Sequence, residues 1–177
     1  MAGGDPARPR AVSGAAPRVR PWREDDLPAI ARLYHDTVHA VNARDYTPEQ
    51  IAAWAPRVEP EEFWRRRFAT RLAFVAALDG AVAGFCELEP PDHVDCFYVH
   101  HAWQRRGVGA ALMRRLLEEA AALGADRLRA DVSVTARGFF ERQGFAVARE
   151  RARRYRGQAF RQFLMEQRLG AAARGGL

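Results

Sequence analysis

The sequence contains no lysine: all 28 basic residues are arginine, and with 22 acidic residues the net charge is +6. Arginine binds phosphate through a planar, bidentate fork, so the position of each arginine is more informative than their number. Cysteine is also scarce, with only Cys86 and Cys96, which form no CxxC pair and have no histidine at zinc-finger spacing. This excludes those two motifs and predicts two small buried residues on strands.

No apolar run approaches the about 18 residues of a membrane-spanning helix, and the N-terminal stretch lacks the apolar core of a secretory signal. We therefore expect a cytoplasmic protein without a membrane partner. The five histidines are scattered, and although His35 and His39 are four residues apart on one predicted helix, none has a carboxylate or thiol partner at metal-binding spacing, so no metal is expected. The 177 residues predict one domain over 18–169, between a disordered tail at 1–17 and a flexible tail at 170–177.

Hydrophobic periodicity predicts an α/β fold with a mixed sheet. A strand at 19–22 precedes an amphipathic helix within 23–41, and a proline-interrupted stretch at 42–68 holds one or two short helices. Asp79–Gly80 marks a hairpin, and a further strand at 93–101 leads to a long helix that ends near Leu123. Another strand, a short helix ended by Gly144 and a last hairpin complete the order. Antiparallel hairpins beside a helical crossover indicate a mixed sheet.

The stretch WQRRGVGAAL, residues 103–112, places two arginines and two glycines directly before the long helix. A helix N-terminus offers unpaired N–H groups and about half a positive charge, so an anion can bind there. Gly107 and Gly109 leave the backbone bare for a diphosphate, and Arg105 and Arg106 add charge. Taken alone, the stretch is equally typical of an ordinary strand–helix turn.

Two segments make the sequence resemble the GNAT superfamily of acyl-CoA-dependent N-acetyltransferases. QRRGVGAAL matches the family's Q/R-x-x-G-x-G/A pattern, and SVTARGFFERQGF resembles its downstream segment. The resemblance covers residues 19–169 and implies a mainly antiparallel, seven-stranded mixed sheet with about four helices and splayed fourth and fifth strands. It also implies acetyl transfer from acetyl-CoA, as co-substrate, to an amine of a small molecule or peptide.

The resemblance also assigns cofactor-binding residues. The backbones of Phe97 and Val99 would hydrogen-bond the pantetheine arm and face the thioester. Ser133 would lie beside the cofactor, and Phe139 and Phe140 would pack against its arm. The pyrophosphate would be wrapped by Gln104, Arg105, Arg106, Gly107, Val108, Gly109 and Ala110.

Three positions depart from the family pattern: His101 replaces the usual proline, Arg105 a glycine, and Phe140 a frequent tyrosine that acts as general acid. Phenylalanine has no proton to donate, so that role is vacant or filled elsewhere. Tyr46, in the connection before the second helix, is the first candidate, and a surface tyrosine is the alternative. Tyr98 is the second candidate, with core packing as its alternative.

Asp131, Glu87 and Asp95 are the candidates for a general base. Asp131 shares a strand face with Ser133, and a buried carboxylate without a partner is expensive, so it is either catalytic or hydrogen-bonded. For Glu87 the alternative is a solvated strand face, and for Asp95 it is a strand cap. Of these, Tyr46, Asp131 and Glu87 form the predicted catalytic set.

Two other functions fit parts of the sequence. A catalytically degenerate acyl-CoA-binding sensor would explain Phe140. The arginine-rich last hairpin and the pI of about 10.3 suggest nucleic-acid binding, but Tyr155 alone makes no stacking platform, so nucleic acid is not expected as a partner. The acceptor amine is left open, as is the choice between monomer and homodimer.

Overall fold

A seven-stranded sheet organises residues 15–170, the part of the chain that the computed structural model describes. The strands are β1 Arg18–Pro21, β2 Leu72–Leu78, β3 Ala81–Glu89, β4 His93–Val99, β5 Arg127–Ser133, β6 Ala146–Tyr155 and β7 Gln158–Arg168. Their order in the sheet is β1-β2-β3-β4-β5-β7-β6, and only the β4–β5 pair is parallel, which confirms the predicted mixed sheet. Apart from residues 15–17 and 170, the predicted tails lie outside the described residues.

Five α-helices flank the sheet, because the proline-interrupted stretch supplies two of them. Thr47 begins one of these by accepting a hydrogen bond from the Gln50 N–H, with Pro48 in the first turn. Gly124, at a φ of 78°, follows the end of the long helix as predicted. The helices are α1 Leu27–Ala40, α2 Pro48–Trp54, α3 Glu61–Phe68, α4 Val108–Ala122 and α5 Arg137–Arg142.

The helices pack on opposite faces of the sheet. On one face, Leu112 and Leu116 of α4 and Phe140 of α5 join a buried cluster with residues of β2 to β5 and β7. On the other face, Ile30 of α1 and Trp64 of α3 join a second cluster with β2, β3 and β4. Burying one such apolar side chain stabilises the fold by about 1.5–3 kcal/mol, so both layers are firmly attached.

β4 and β5 separate soon after they begin. They pair only at His93↔Arg129 and Val94↔Ala130. On the other side of β4, Phe97 opposes Cys86 and Val94 opposes Leu88, so β4 contains one residue more than β3 over this step. Such a β-bulge bends its strand. The predicted splay of the fourth and fifth strands is thus confirmed, and the bulge at residues 95–96 lies where the strands part.

The main chain of β4 beyond the bulge has polar groups directed at the gap. The His100 N–H donates to the Ala83 carbonyl across the β3–β4 pair at 2.9 Å. Backbone groups on an antiparallel strand alternate between its two edges, so Tyr98 also bonds toward β3. The polar groups of Phe97 and Val99 therefore point away from β3, toward the gap.

Candidate active site

The gap between β4 and β5 opens into a cavity of about 1050 Å³ that reaches both faces of the sheet. We call its two parts the α4 end and the α1 end. The α4 end is lined by Gln104, Arg105, Gly107, Gly109, Ala110, Phe139, Arg142 and Gln143. The α1 end is lined by Tyr34, Thr37, Arg44, Trp54, Tyr98, Arg153, Tyr155 and Phe160. A volume of this size accommodates a ligand larger than a single small metabolite.

The α4 end is a helix N-terminus entered through a left-handed turn. Gly107, at a φ of 80°, directly precedes α4, and its carbonyl already accepts the Ala111 N–H at 3.0 Å. The first N–H groups of α4 have no partner within the helix and form a donor site for an anion. Arg105 also has a left-handed φ, of 61°, which costs a residue with a Cβ about 1–2 kcal/mol. It therefore has the backbone conformation that the family's usual glycine would adopt without strain.

Gly109 lets α4 approach α5 closely. A Cβ at this position would lie 2.9 Å from Cε2 and 3.0 Å from Cζ of Phe139. The Phe139 ring in turn packs 5.3 Å from the ring of Phe97. Arg105 and Arg142 complete this end, and within residues 15–170 neither forms an ion pair. Two uncompensated guanidinium groups beside a helix N-terminus favour a phosphate-bearing ligand.

Aromatic rings form the wall of the α1 end. The rings of Tyr34 and Tyr98 are 4.9 Å apart in an edge-to-face contact, and those of Trp54 and Phe160 are 5.8 Å apart. Burial raises the pKa of both Tyr34 and Tyr98, so each phenol stays protonated at neutral pH and is a weaker acid than a tyrosine in water. Thr37 also lines this end, and its buried Oγ1 has no hydrogen-bond partner among the described residues.

A family model described as an acetyltransferase (GNAT) domain matches residues 42–167. This chain belongs to the GNAT acetyltransferase family. It is 28% identical over 148 residues to the uncharacterized N-acetyltransferase YafP of Escherichia coli (strain K12). This match covers 84% of this chain and 93% of that protein. It is 30% identical to a GCN5-related N-acetyltransferase from Rhodopseudomonas palustris, with a TM-score of 0.83 over 90% of this chain and 99% of that one.

The structure of yncA, a putative acetyltransferase from Salmonella typhimurium with its cofactor acetyl-CoA, has the same fold: the TM-score is 0.65, at 21% identity, over 92% of this chain and 99% of that one. The match to the GNAT domain and the two relatives named before yncA confirm the resemblance inferred from the two sequence segments. They also confirm the enzyme class of acyltransferase. From residue 15 to residue 170, no helix has the length and apolar character to cross a membrane. The same residues hold no group of three histidine, cysteine or carboxylate side chains arranged for a metal ion.

Most of the residues expected to bind the cofactor line the cavity of this GNAT enzyme. They are Phe97, Val99, Gln104, Arg105, Gly107, Gly109, Ala110, Ser133, Phe139 and Phe140. Arg106 instead lies over the Trp103 ring, 4.6 Å from its centroid, and 3.6 Å from Asp79. Val108 is a core residue with 1% of its surface exposed. Neither of these two residues lines the cavity.

Tyr46 is buried beside the site rather than on the cavity wall. Its hydroxyl accepts a hydrogen bond from the Val134 N–H at 3.0 Å and donates one to the Arg161 carbonyl at 3.4 Å. Its ring packs against Trp54 and Phe160, and burial raises its pKa. The catalytic role of Tyr46 stays a prediction, whereas these contacts indicate that it joins the segment after α1 to β5 and β7.

Glu87 lies under the bulge of β4 and is fully buried. It accepts two hydrogen bonds from the Arg67 guanidinium, and Arg71 lies 3.3 Å away. Burial raises the pKa of Glu87, and Arg67 opposes that change. Arg67 also binds Asp95, which does line the cavity. These contacts give Glu87 a structural role as the counter-ion of Arg67.

Asp131 is the predicted catalytic residue that does line the cavity. As expected from its strand position, it lies on the same face as Ser133, whose Oγ accepts the Ala136 N–H at 3.1 Å. Its carboxylate forms an ion pair with Arg151, and His93 Nε2 lies 3.4 Å away. A carboxylate with two basic neighbours is already partly neutralised before any substrate enters.

Several lining residues were not among the sequence-based candidates. At the α4 end they are Arg142 and Gln143, and at the α1 end Tyr34, Thr37, Arg44, Trp54, Arg153, Tyr155 and Phe160. Tyr34 could be assigned only to the apolar stripe of α1, because nothing in its local pattern separates a cavity wall from a core contact.

Proposed function

We propose that this GNAT enzyme transfers an acetyl group from acetyl-CoA to an amine of a small molecule or peptide, by direct attack of the amine on the thioester. The observation that carries the proposal is the single cavity that joins an anion site at the start of α4 to a ring-lined compartment on the other face of the sheet. The match to the GNAT domain supports the same chemistry, as does the related fold of yncA with acetyl-CoA.

In this proposal acetyl-CoA lies with its diphosphate at the α4 end. Its diphosphate is bound by the first N–H groups of α4 and by the forks of Arg105 and Arg142. Its pantetheine arm lies along β4, where the backbone groups of Phe97 and Val99 point into the gap and hydrogen-bond it as a neighbouring strand would. The thioester then reaches the α1 end, where the acceptor binds.

The reaction forms a C–N bond and breaks the C–S bond of the thioester. Holding the amine against the thioester carbonyl contributes to the acceleration, and a backbone N–H near Val99 stabilises the oxyanion. We assign the proton of the amine to Asp131, which lines the cavity and is paired with Arg151. Thiols titrate near 8.5, so the leaving thiolate needs only modest help from an acid.

Tyr98 is the proton donor that the contacts favour. It precedes Val99 and lines the α1 end, and its phenol is protonated at neutral pH; burial raises its pKa and so makes it a weaker acid than a tyrosine in water. Phe140, where the family often has its acid, is 3% exposed and packs 5.7 Å from Phe97 and 5.1 Å from Phe145. Phe140 has no proton to donate, so we assign proton donation to Tyr98 on the opposite face of the sheet.

The alternative is an acyl-CoA sensor that binds the ligand without turnover. It is favoured by Phe140 and by the ion pair that commits Asp131 to Arg151. Calorimetry with acetyl-CoA, followed by thiol release with a panel of primary amines, separates the two functions. Binding with turnover supports the enzyme, and binding without turnover across the panel supports the sensor. Absence of acetyl-CoA binding would refute both.

A further inference from the structure

The α1 end carries more arginine side chains than carboxylates can neutralise. Both carboxylates on the cavity wall already have arginine partners: Asp95 binds Arg67, and Asp131 binds Arg151. By contrast, Arg44 and Arg153 also line the cavity, and no carboxylate oxygen of residues 15–170 lies within 4.0 Å of either guanidinium group. An acceptor with several positive charges would be repelled here, and an acceptor with an acid group would be attracted.

Arg153 lies on the side of the sheet where the acceptor binds. It is directly opposite Phe160 in the β6–β7 pair, and opposed residues share a face. Phe160 packs against Trp54 of α2, so Arg153 faces the α1 and α2 layer. The start of α4 lies on the other face of the sheet, where Val108 joins the buried cluster formed with Leu112 and Leu116. A diphosphate bound at α4 is thus separated from Arg153 by the sheet, and Arg153 is left for the acceptor.

The surroundings of Arg153 also restrict the rest of the acceptor. Its guanidinium carbon lies 6.0 Å from the Tyr155 ring centroid, and the neighbouring wall consists of the rings of Tyr34, Trp54 and Phe160. Rings of this kind bury the apolar or aromatic part of a ligand, while the unpaired arginines disfavour a polyamine chain. The Arg153 guanidinium beside an aromatic wall is therefore complementary to a molecule with an acid group at one end and an apolar body.

We propose that the acceptor is an amine that carries a carboxylate or a comparable oxyanion, bound by Arg153 with its apolar part against the rings of the α1 end. The inference rests on the proposed acetyl transfer and adds the substrate class to it. Arg153 acts as a specificity residue: it binds the acid group of the acceptor and takes no part in the transfer of the acetyl group.

The test uses matched amines that differ only in charge: L-phenylalanine and L-leucine, each against its own amide. The amide has the less basic amine, so its larger neutral fraction works against the proposed preference. Thiol release is measured for the wild-type enzyme, for Arg153→Gln, and for the control Arg154→Gln. Arg154 is the next residue of β6 and points to the other face of the strand.

We expect wild type to prefer the acids over the amides by about tenfold to a hundredfold in kcat/KM, as for loss of a charged hydrogen bond. Arg153→Gln should abolish this preference with unchanged acetyl-CoA affinity, and Arg154→Gln should keep it. Equal use of acid and amide by wild type, or a preference that survives Arg153→Gln, overturns the proposal.

If acetyl-CoA binds but neither these amines nor the panel of primary amines causes release of the CoA thiol, the proposed acetyl transfer fails. The class of ligand at the α1 end is then decided by binding measurements alone. N-acetyl-L-phenylalanine and its amide are then titrated calorimetrically into the CoA-loaded protein. A preference for the acid that disappears in Arg153→Gln supports the anion site, and equal affinities overturn it.

Discussion

Replacing Tyr46 by phenylalanine tests whether this tyrosine supports the fold or the chemistry. The substitution keeps the ring, and with it the contacts to Trp54 and Phe160, so it opens no large cavity. It removes only the hydroxyl, which accepts from the Val134 N–H and donates to the Arg161 carbonyl. The change therefore isolates two hydrogen bonds between distant parts of the chain.

The loss follows from those two bonds. The 3.0 Å bond to the Val134 N–H is the stronger, and a buried N–H left without its acceptor destabilises a protein by about 1–3 kcal/mol. Val134 is only half-buried, so water restores part of the loss and we expect about 1–2 kcal/mol. For a chain of this length that corresponds to a fall of about 2–8 °C in Tm.

The assay is urea unfolding of Tyr46→Phe beside kcat measured with a working acceptor. We expect lower stability with kcat within about twofold of wild type, whereas Tyr98→Phe should lower kcat about tenfold or more with unchanged acetyl-CoA affinity. A Tyr46→Phe protein as stable as wild type would refute the structural argument. A kcat loss as large as that of Tyr98→Phe would return Tyr46 to the mechanism.

Gly109→Ala should weaken acetyl-CoA binding about tenfold by calorimetry, because the new Cβ at 2.9 Å from Phe139 displaces a ring that lines the cavity. Glu87→Gln should lower the free energy of unfolding by about 1.5–3 kcal/mol in urea, since Arg67 loses a buried carboxylate partner and keeps only Asp95; a loss below about 1 kcal/mol would contradict this. Burial acts to raise the pKa of Asp26, but hydrogen bonds from Arg20 and the Arg23 N–H bring it below its usual value. Asp26 therefore contributes stability above its unfolded pKa of about 3.9 and loses it as the pH falls through the lower folded pKa. Asp26→Asn should be less stable than wild type at pH 7, with a difference that shrinks as the pH falls below about 3.9, measured by unfolding across pH 7 to 2.

The parts of the fold that the sequence predicts are those set by short-range chemistry. Asp79 and Gly80 both have positive φ, of 51° and 81°, as the turn between β2 and β3 requires. Gly107 and Gly109 mark the anion site because a bare backbone before a helix is itself a local feature. These residues could be identified because their role depends on neighbours a few positions away.

The α1 end could not be predicted in this way, because long-range contacts build it. The Tyr46 hydroxyl bonds to groups 88 and 115 residues further along the chain. Which arginines of β6 face the cavity depends on the register that sets Arg153 opposite Phe160. No local pattern encodes that register, and alternating arginines are equally typical of a solvated hairpin.

Two of the three departures from the family pattern, Arg105 and Phe140, lie on the α4 side of the site and act differently. Arg105 keeps the left-handed backbone that glycine would adopt, at a strain of about 1–2 kcal/mol, and supplies an uncompensated cation where we propose that the diphosphate binds. Its strain is thus coupled to ligand binding, since a charged hydrogen bond of about 1.5–3 kcal/mol offsets it only when the anion is present. Phe140, in contrast, gives up a proton donor for a buried ring on the α4 face. In the proposed mechanism the α4 end therefore holds the cofactor, whereas proton transfer falls to Tyr98 and Asp131 on the other face of the sheet, where we propose that the acceptor is recognised.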